Sequence, residues 1–272
     1  MLPGLQSEAL ALRRVENQIK FRKLIPKPIR KFLGVLAEKM SKVGSVARRV
    51  LLDLPLRKPE KGSQSRPEWA GDRHRFDYQR KYTTFNIQVG EQVLDIGGGQ
   101  DPFPYATILS DRYPEKTRHR MEDLVRDSRP FIILDVEHLP LKDKSVDFIY
   151  CSHVLEHVDD PLKACSELMR VGGRGYIETP TYAQDGLFAW AKEMHRWHIV
   201  SINNKLVFFE YTDRQLEGVR SSLWHDLIMG PKYHPLQEMY YNNLDFFFVM
   251  FTWIDSFECV VYRLSTNSKY TM

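Results

Sequence analysis

At 272 residues the chain can hold one large domain with an appendage, or two small ones. Its three cysteines (Cys151, Cys165 and Cys259) form no Cys-x-x-Cys pair and leave an odd count, which argues for a reducing compartment and against a disulfide framework or a cysteine zinc site. The net charge of +4 is unevenly placed: residues 1–60 hold 14 Lys/Arg against 5 Asp/Glu, a net of +9, and the remainder comes to −5. No run approaches the roughly 18 apolar residues of a membrane span. Met1-Leu2-Pro3-Gly4 does not open a secretory signal, so the expected location is the cytoplasm, with a peripheral membrane contact as a further option.

In chain order, Leu5, Ala9, Leu12, Val15 and Ile19 predict a first helix over residues 5–24, stopped at Pro26-Lys27-Pro28. A second pattern over 29–54 places Phe32, Leu36, Met40, Val43 and Val50 opposite Arg30, Lys31, Lys39, Lys42, Arg48 and Arg49. It reads either as a basic amphipathic helix for an anionic membrane surface or a protein partner (residues 5–54), or as a helix packed on the body. A targeting presequence is a third reading, weakened by Glu8, Glu16 and Glu38. Nucleic acid ranks lower, because no aromatics interleave with the charges. The Pro/Gly/Ser-rich stretch from Arg57 to Asp72 is a linker, dividing the chain into a basic extension (1–66) and a body (67–272). A helix from Trp69 to Phe85 carries Arg75, Tyr78 and Tyr82.

Val93, Leu94 and Ile96 then form a buried parallel strand that runs into Gly97-Gly98-Gly99, with Asp101-Pro102 as a helix start. Asp95 interrupts the apolar run, a costly placement unless something binds it. A dinucleotide fingerprint needs glycine where Pro102 stands, and no lysine follows the glycines as a phosphate loop requires. Further strands are predicted at 107–110, closed by Asp111; at 131–134, closed by Asp135; at 146–151; and at 174–180. Helices are predicted at 118–127 and, capped by Asp159-Asp160-Pro161, through Arg170. Beyond lie a strand at 205–210, a helix from Thr212 to Val219, and an antiparallel hairpin of 245–253 with 257–264.

Asp95-x-Gly97-x-Gly99 after a strand resembles the first motif of class I S-adenosylmethionine-dependent methyltransferases. The loop from Asp135 to Leu139-Pro140, and Val154-Leu155-Glu156-His157 after the fourth strand, resemble the type 11 branch. The resemblance implies a Rossmann-like, mostly parallel seven-stranded sheet flanked by helices, with an antiparallel C-terminal edge beside the helical N-terminal extension. It implies S-adenosyl-L-methionine as cofactor, with Asp95, Gly97, Gly98 and Gly99 around its amino-acid end and Asp135 and Val136 at the adenine. Asp111, at a strand tip, can accept two hydrogen bonds from ribose hydroxyls. Tyr82, on the covering helix, and Ser152 and His153, past the fourth strand, complete the expected contacts. One departure is Asp101, which stands where the motif has a third small residue, and the first helix is cut short.

If the acceptor is a hydroxyl, a base must take its proton. His153 and His157, four apart, are candidates, and His195 and His198 in the insertion 181–244 are alternatives. These histidines with Glu193 and Glu178 match no established metal spacing, so no metal is expected and the segment is read as closing the acceptor pocket, with Trp190 and Trp197 as walls. The stretch His195-Arg196-Trp197-His198 is similar to one in branch members acting in polysaccharide and lipid-linked glycan pathways. That points to O-methylation of a sugar or glycan intermediate. The alternatives are N- or C-methylation of a small metabolite, and a non-catalytic docking partner with the same fold.

Overall fold

The computed structural model describes residues 75–117, 120, 122–187, 194–212, 227–228, 234–264 and 268–272, all within the unit Gln64–Met272. The predicted basic helices of residues 5–54, the linker, Trp190, Glu193 and the 212–219 helix lie outside the described residues, Thr212 apart. Among the described residues no helix is long and apolar enough to cross a membrane.

Among the described residues ten strands form two sheets: β1 (Val93–Ile96), β2 (Ile108–Asp111), β3 (Phe131–Ile133), β4 (Val146–Ser152), β5 (Gly172–Pro180), β6 (Trp197–Ile202), β7 (Lys205–Glu210), β8 (Phe248–Ile254), β9 (Glu258–Arg263) and β10 (Ser268–Thr271). The main sheet has the order β3-β2-β1-β4-β5-β8, parallel except for β8, which runs antiparallel to β5 at the edge. The chain is thus α/β, with the mainly parallel sheet and antiparallel edge that the resemblance implied. β1 lies between β2 and β4, and all four of its residues are buried, which accounts for the apolar Val93, Leu94 and Ile96 and leaves Asp95 as a buried carboxylate among them.

Parallel neighbours need a crossover, and helices usually supply it. Between β4 and β5 this is α2 (Pro161–Val171), which follows α1 (Arg75–Tyr82) in the chain. Asp160 caps α2 by accepting from the Lys163 N–H, Pro161 opens it, and Ala164, Cys165, Leu168 and Val171 form its buried stripe. The β1–β2 connection contains no helix, and the predicted helix at 118–127 is absent among its described residues. Its described residues instead carry neither helix nor strand and meet the glycine turn, the Val125 N–H donating to the Gly99 carbonyl (3.0 Å).

Aromatic side chains cover the face of the sheet that a first helix would shield. Phe103, fully buried, stacks on Tyr150 at 4.1 Å, and Phe85 meets Phe103, Phe148, Tyr150 and Tyr176 edge-on.

The second sheet, β10-β9-β7-β6, corrects the C-terminal hairpin. β8 stays in the main sheet, while β9 departs after Asp255 (φ 59°) and pairs with β7 and β10. Phe257, Cys259 and Val261 thereby join Leu206, Phe208 and α2 in one core, a larger burial than a two-stranded edge offers. β6 is an addition to the predicted strands. Its turn, Asn203-Asn204, has φ of 50° and 60°, the positive pair that a two-residue hairpin requires.

Because Phe103 replaces a helix, Phe103→Ala should cost about 3–5 kcal/mol of stability, read as a shift of the urea midpoint with unchanged slope. A change below about 1 kcal/mol would show that the aromatic cluster is not what seals the sheet.

Candidate functional site

The strand order reverses between β1 and β4, and the crevice beyond their carboxyl ends is where an open α/β sheet holds ligands. Gly97 (φ 71°) and Gly99 (φ 57°) turn the chain there in the left-handed region. A Cβ on Gly98 would fall 2.6 Å from Asp95 Oδ2, so any side chain there would have to push the Asp95 carboxylate aside. The N–H groups of Gly97 and Gly98 donate to the Ser110 carbonyl, so they are spent on holding the turn against β2. Asp95 is 1% exposed; its Oδ2 accepts from the Phe103 N–H (2.7 Å), and its Oδ1 is buried with no hydrogen-bond partner. Burial pushes its carboxyl up to about 7. The expected helix start at Asp101-Pro102 is a turn instead, and Asp101 meets Arg75.

Asp111 and Asp135 follow at the ends of β2 and β3, so the three aspartates stand at successive strand tips. Two of them hold arginines. Arg120 Nη1 donates to Asp111 Oδ2 (3.0 Å), and its side-chain stem lies 3.5 Å from where a Gly99 Cβ would be. Arg112 Nη2 lies 3.3 Å from Asp135 Oδ2, while Val136 is buried. The orphaned Asp95 oxygen and the bare glycine turn fit the ammonium end of S-adenosylmethionine. A ribose diol fits Asp111 only when Arg120 releases it.

Tyr82 lies about 10 Å along α1 from Arg75, and its hydroxyl faces Asp245, on α5 (Leu244–Phe247), which follows α3 (Tyr182–Leu187) and α4 (Pro235–Tyr241). It is Arg75, donating to the Asp101 carbonyl (2.6 Å), that joins α1 to the glycine turn.

Past β4 and β5 lies a second group of buried acids. Glu178, fully buried, accepts from Tyr78 (2.7 Å), Gln79 (2.9 Å), Tyr176 (2.5 Å) and Ser152 (3.3 Å). His153, at φ 58°, bridges Glu178 (3.3 Å) and Glu156 (3.4 Å). Burial acts to lower its imidazolium, but these two carboxylates prevail and raise it to about 9. His153 therefore carries a proton at neutrality and is poorly placed to accept another. Burial likewise acts to raise Glu156, yet His153, His157 and His195 hold it at about 2. His157 Nδ1 contacts the Met194 carbonyl (3.0 Å), and His195 Nδ1 contacts Asp185 Oδ1 (2.9 Å). The rings of His157 and His195 lie 4.9 Å apart. His198 is turned away, packed among Tyr182, Phe209 and Tyr211, and Trp197 is a core residue that donates to the Val158 carbonyl.

A family profile described as a methyltransferase domain matches residues 105–176, from the loop before β2 to the middle of β5. Those residues form a methyltransferase domain of the type 11 family. The matched span holds Asp111, Asp135, Val136, Ser152, His153 and His157, while the glycine turn precedes it. An uncharacterized methyltransferase of Mycobacterium bovis is 33% identical over 103 residues, 35% of this chain and 40% of that protein. The chain thus spans about 40% of the length of the curated relatives it matches. Among solved structures, the YcgJ protein of Bacillus subtilis is 26% identical over 40% of this chain and 52% of its own, with a TM-score of 0.32. A chain from the complex of the Haloferax volcanii Trm112 methyltransferase activator with a methyltransferase is 14% identical over 69% and 96%, with a TM-score of 0.42. At such scores the likeness carries no argument about this methyltransferase domain beyond its own topology.

The raised Asp95 carboxyl sets a pH dependence. A folded-state value above the unfolded one means that stability present below about pH 4 is lost as pH rises through about 7. Asp95→Asn should abolish that loss, so its melting temperature exceeds wild type by more at pH 8 than at pH 5. Parallel curves across this range would contradict the buried, orphaned carboxylate.

Proposed function

We propose that the chain is an S-adenosylmethionine-dependent methyltransferase, with its cofactor across the β1/β4 crevice and the hydroxyl of a sugar or glycan intermediate as acceptor. The observation that carries the reading is the glycine turn with its orphaned Asp95 oxygen, set beside Asp111 and Asp135 in a type 11 domain. The bound cofactor supplies an electrophilic methyl group on a sulfonium. The protein must align acceptor and methyl and exclude water. Asp111 serves the ribose, and Asp135 with Val136 the adenine. The acceptor's proton goes to the Glu156–His157–His195 group past β4, since His153 is already charged. The sugar class rests on the His195–His198 stretch, by analogy. An N- or C-methyl acceptor is the runner-up.

One observation favours a different reading, a non-catalytic docking partner: Arg120 occupies Asp111 and leans over Gly99. Calorimetric titration of the full chain with S-adenosylmethionine separates the two. Binding at one site is expected, weakened roughly 10- to 100-fold by Asp111→Asn, which loses a charge-assisted acceptor. Arg120→Gln should tighten it several-fold by removing the internal competitor. No binding by folded wild type and Arg120→Gln protein would favour the docking partner. Mass spectrometry of the methylated product then distinguishes an oxygen-linked methyl from a nitrogen- or carbon-linked one.

A further inference from the structure

Glu156, His157 and His195 come from two separate segments, the 3₁₀ turn Leu155–His157 and the residues just before β6, yet one donor atom of each lies within 4.8 Å of the others. Glu156 is 1% exposed, and neither of its carboxylate oxygens has a hydrogen-bond partner. The nearest imidazole nitrogens are His153 Nδ1 at 3.4 Å and His157 Nε2 at 3.8 Å, both farther than a charge-assisted hydrogen bond reaches. Two buried carboxylate oxygens without a hydrogen bond are polar groups that the protein's own side chains leave unexplained.

The two rings are set up to share one. A carbonyl only accepts, so the contact with Met194 puts a proton on His157 Nδ1 and makes Nε2, 3.8 Å from Glu156 Oε1, the nitrogen that the neutral form of the ring would offer to an ion. Asp185, itself 1% exposed, likewise takes the Nδ1 proton of His195, and its other oxygen accepts from the Tyr211 hydroxyl (2.7 Å). A carboxylate or carbonyl behind each Nδ1 is the outer-shell arrangement that orients histidines on a metal. Charge points the same way. Glu156, Glu178 and Asp185 are three carboxylates linked through His153, His157 and His195, each at most 1% exposed.

We propose that Glu156, His157 and His195 form a binding site for a divalent transition-metal ion of the zinc class, oriented by Asp185 and the Met194 carbonyl. Two imidazoles and one carboxylate suit zinc and leave a fourth position open. Donors around tetrahedral zinc lie roughly 3.4 Å apart, so the set draws in by about 1 Å when the ion enters. A cavity of about 230 Å³ reaches one member of the set, His195, between Asp159, Glu210 and Tyr211 and the arginines Arg196 and Arg263. At the open position a hydroxyl would lose its proton more readily. With the Nε2 atoms of both histidines on the ion, that proton would pass to solvent, so a loaded site would serve the acceptor by acidifying its hydroxyl, and the histidines would take the proton directly only in the metal-free protein. Ion binding itself does not depend on that role.

The test uses the full chain, stripped with a chelator and titrated with Zn²⁺ by calorimetry, with Co²⁺ absorption as a second readout of coordination. One ion per chain is expected, with a tetrahedral Co²⁺ spectrum. Affinity should fall at least about 100-fold in the His157→Gln/His195→Gln double variant and about 10- to 100-fold in Asp185→Asn. Wild type binding Zn²⁺ no more tightly than the double variant would overturn the site. Should the double variant not fold, unchanged affinity in Asp185→Asn would overturn it equally. S-adenosylmethionine titration is read separately, so losing the metal site leaves the methyltransferase reading standing.

Discussion

A carboxylate at the end of a buried parallel strand has lost its water and must be given a cation or an N–H in return. That constraint runs through the functional end of this sheet. Asp95 takes one backbone N–H and keeps one oxygen unsatisfied. Asp111 takes Arg120, and Glu178 collects two tyrosines, a glutamine, a serine and His153, while Asp135, past a strand that is not buried, keeps part of its water beside a half-exposed Arg112. The β1–β2 connection supplies the Phe103 N–H, the β2–β3 connection supplies both arginines, and α1 supplies Tyr78 and Gln79, so the segments above the strands are held down by the acids they serve. The proposed cofactor enters by exchange. In that proposal it would satisfy the Asp95 oxygen and take the place of the Arg120 guanidinium on Asp111.

The same end of the sheet is shaped by the loss of a helix. With no helix between β1 and β2, Phe103 and Phe85 seal the sheet, and the β2–β3 connection is free to cross the glycine turn. On the other flank, β9 leaves the main sheet and builds a second one with the β6–β7 hairpin. That hairpin carries His195 and Arg196 back to the turn after β4, where the Arg196 N–H donates to the Glu156 carbonyl (2.8 Å). The histidine pair exists because of this return.

Much of this architecture is legible in the residues. The apolar runs ending in Asp95, Asp111 and Asp135 mark three strands, and Asp160-Pro161 marks the start of α2, because local propensity and tertiary role agree there. The polar stretch 118–127 misleads: its residues tolerate a helix, but Arg120 is drawn to Asp111 and Val125 to Gly99, contacts that no helical period records. The C-terminal pair resembles a hairpin because Asp255-Ser256 is turn-like, and the alternation of β9 cannot say which sheet it faces. Asn203-Asn204 is the local signal that could have located β6. Arg75, Arg112 and Arg120 leave no mark, since an arginine's partner is chosen by the fold. The convergence of His157 with His195 is hidden for the same reason, 38 positions separating them in the chain.

The most direct measurement is a crystal structure of the full chain with S-adenosylhomocysteine. The account predicts its amino group within hydrogen-bonding distance of Asp95 or the Gly97–Gly99 turn, its ribose on Asp111, and the Arg120 guanidinium moved off that carboxylate. Density for the ligand elsewhere, or an Arg120–Asp111 pair intact beneath it, would contradict the account.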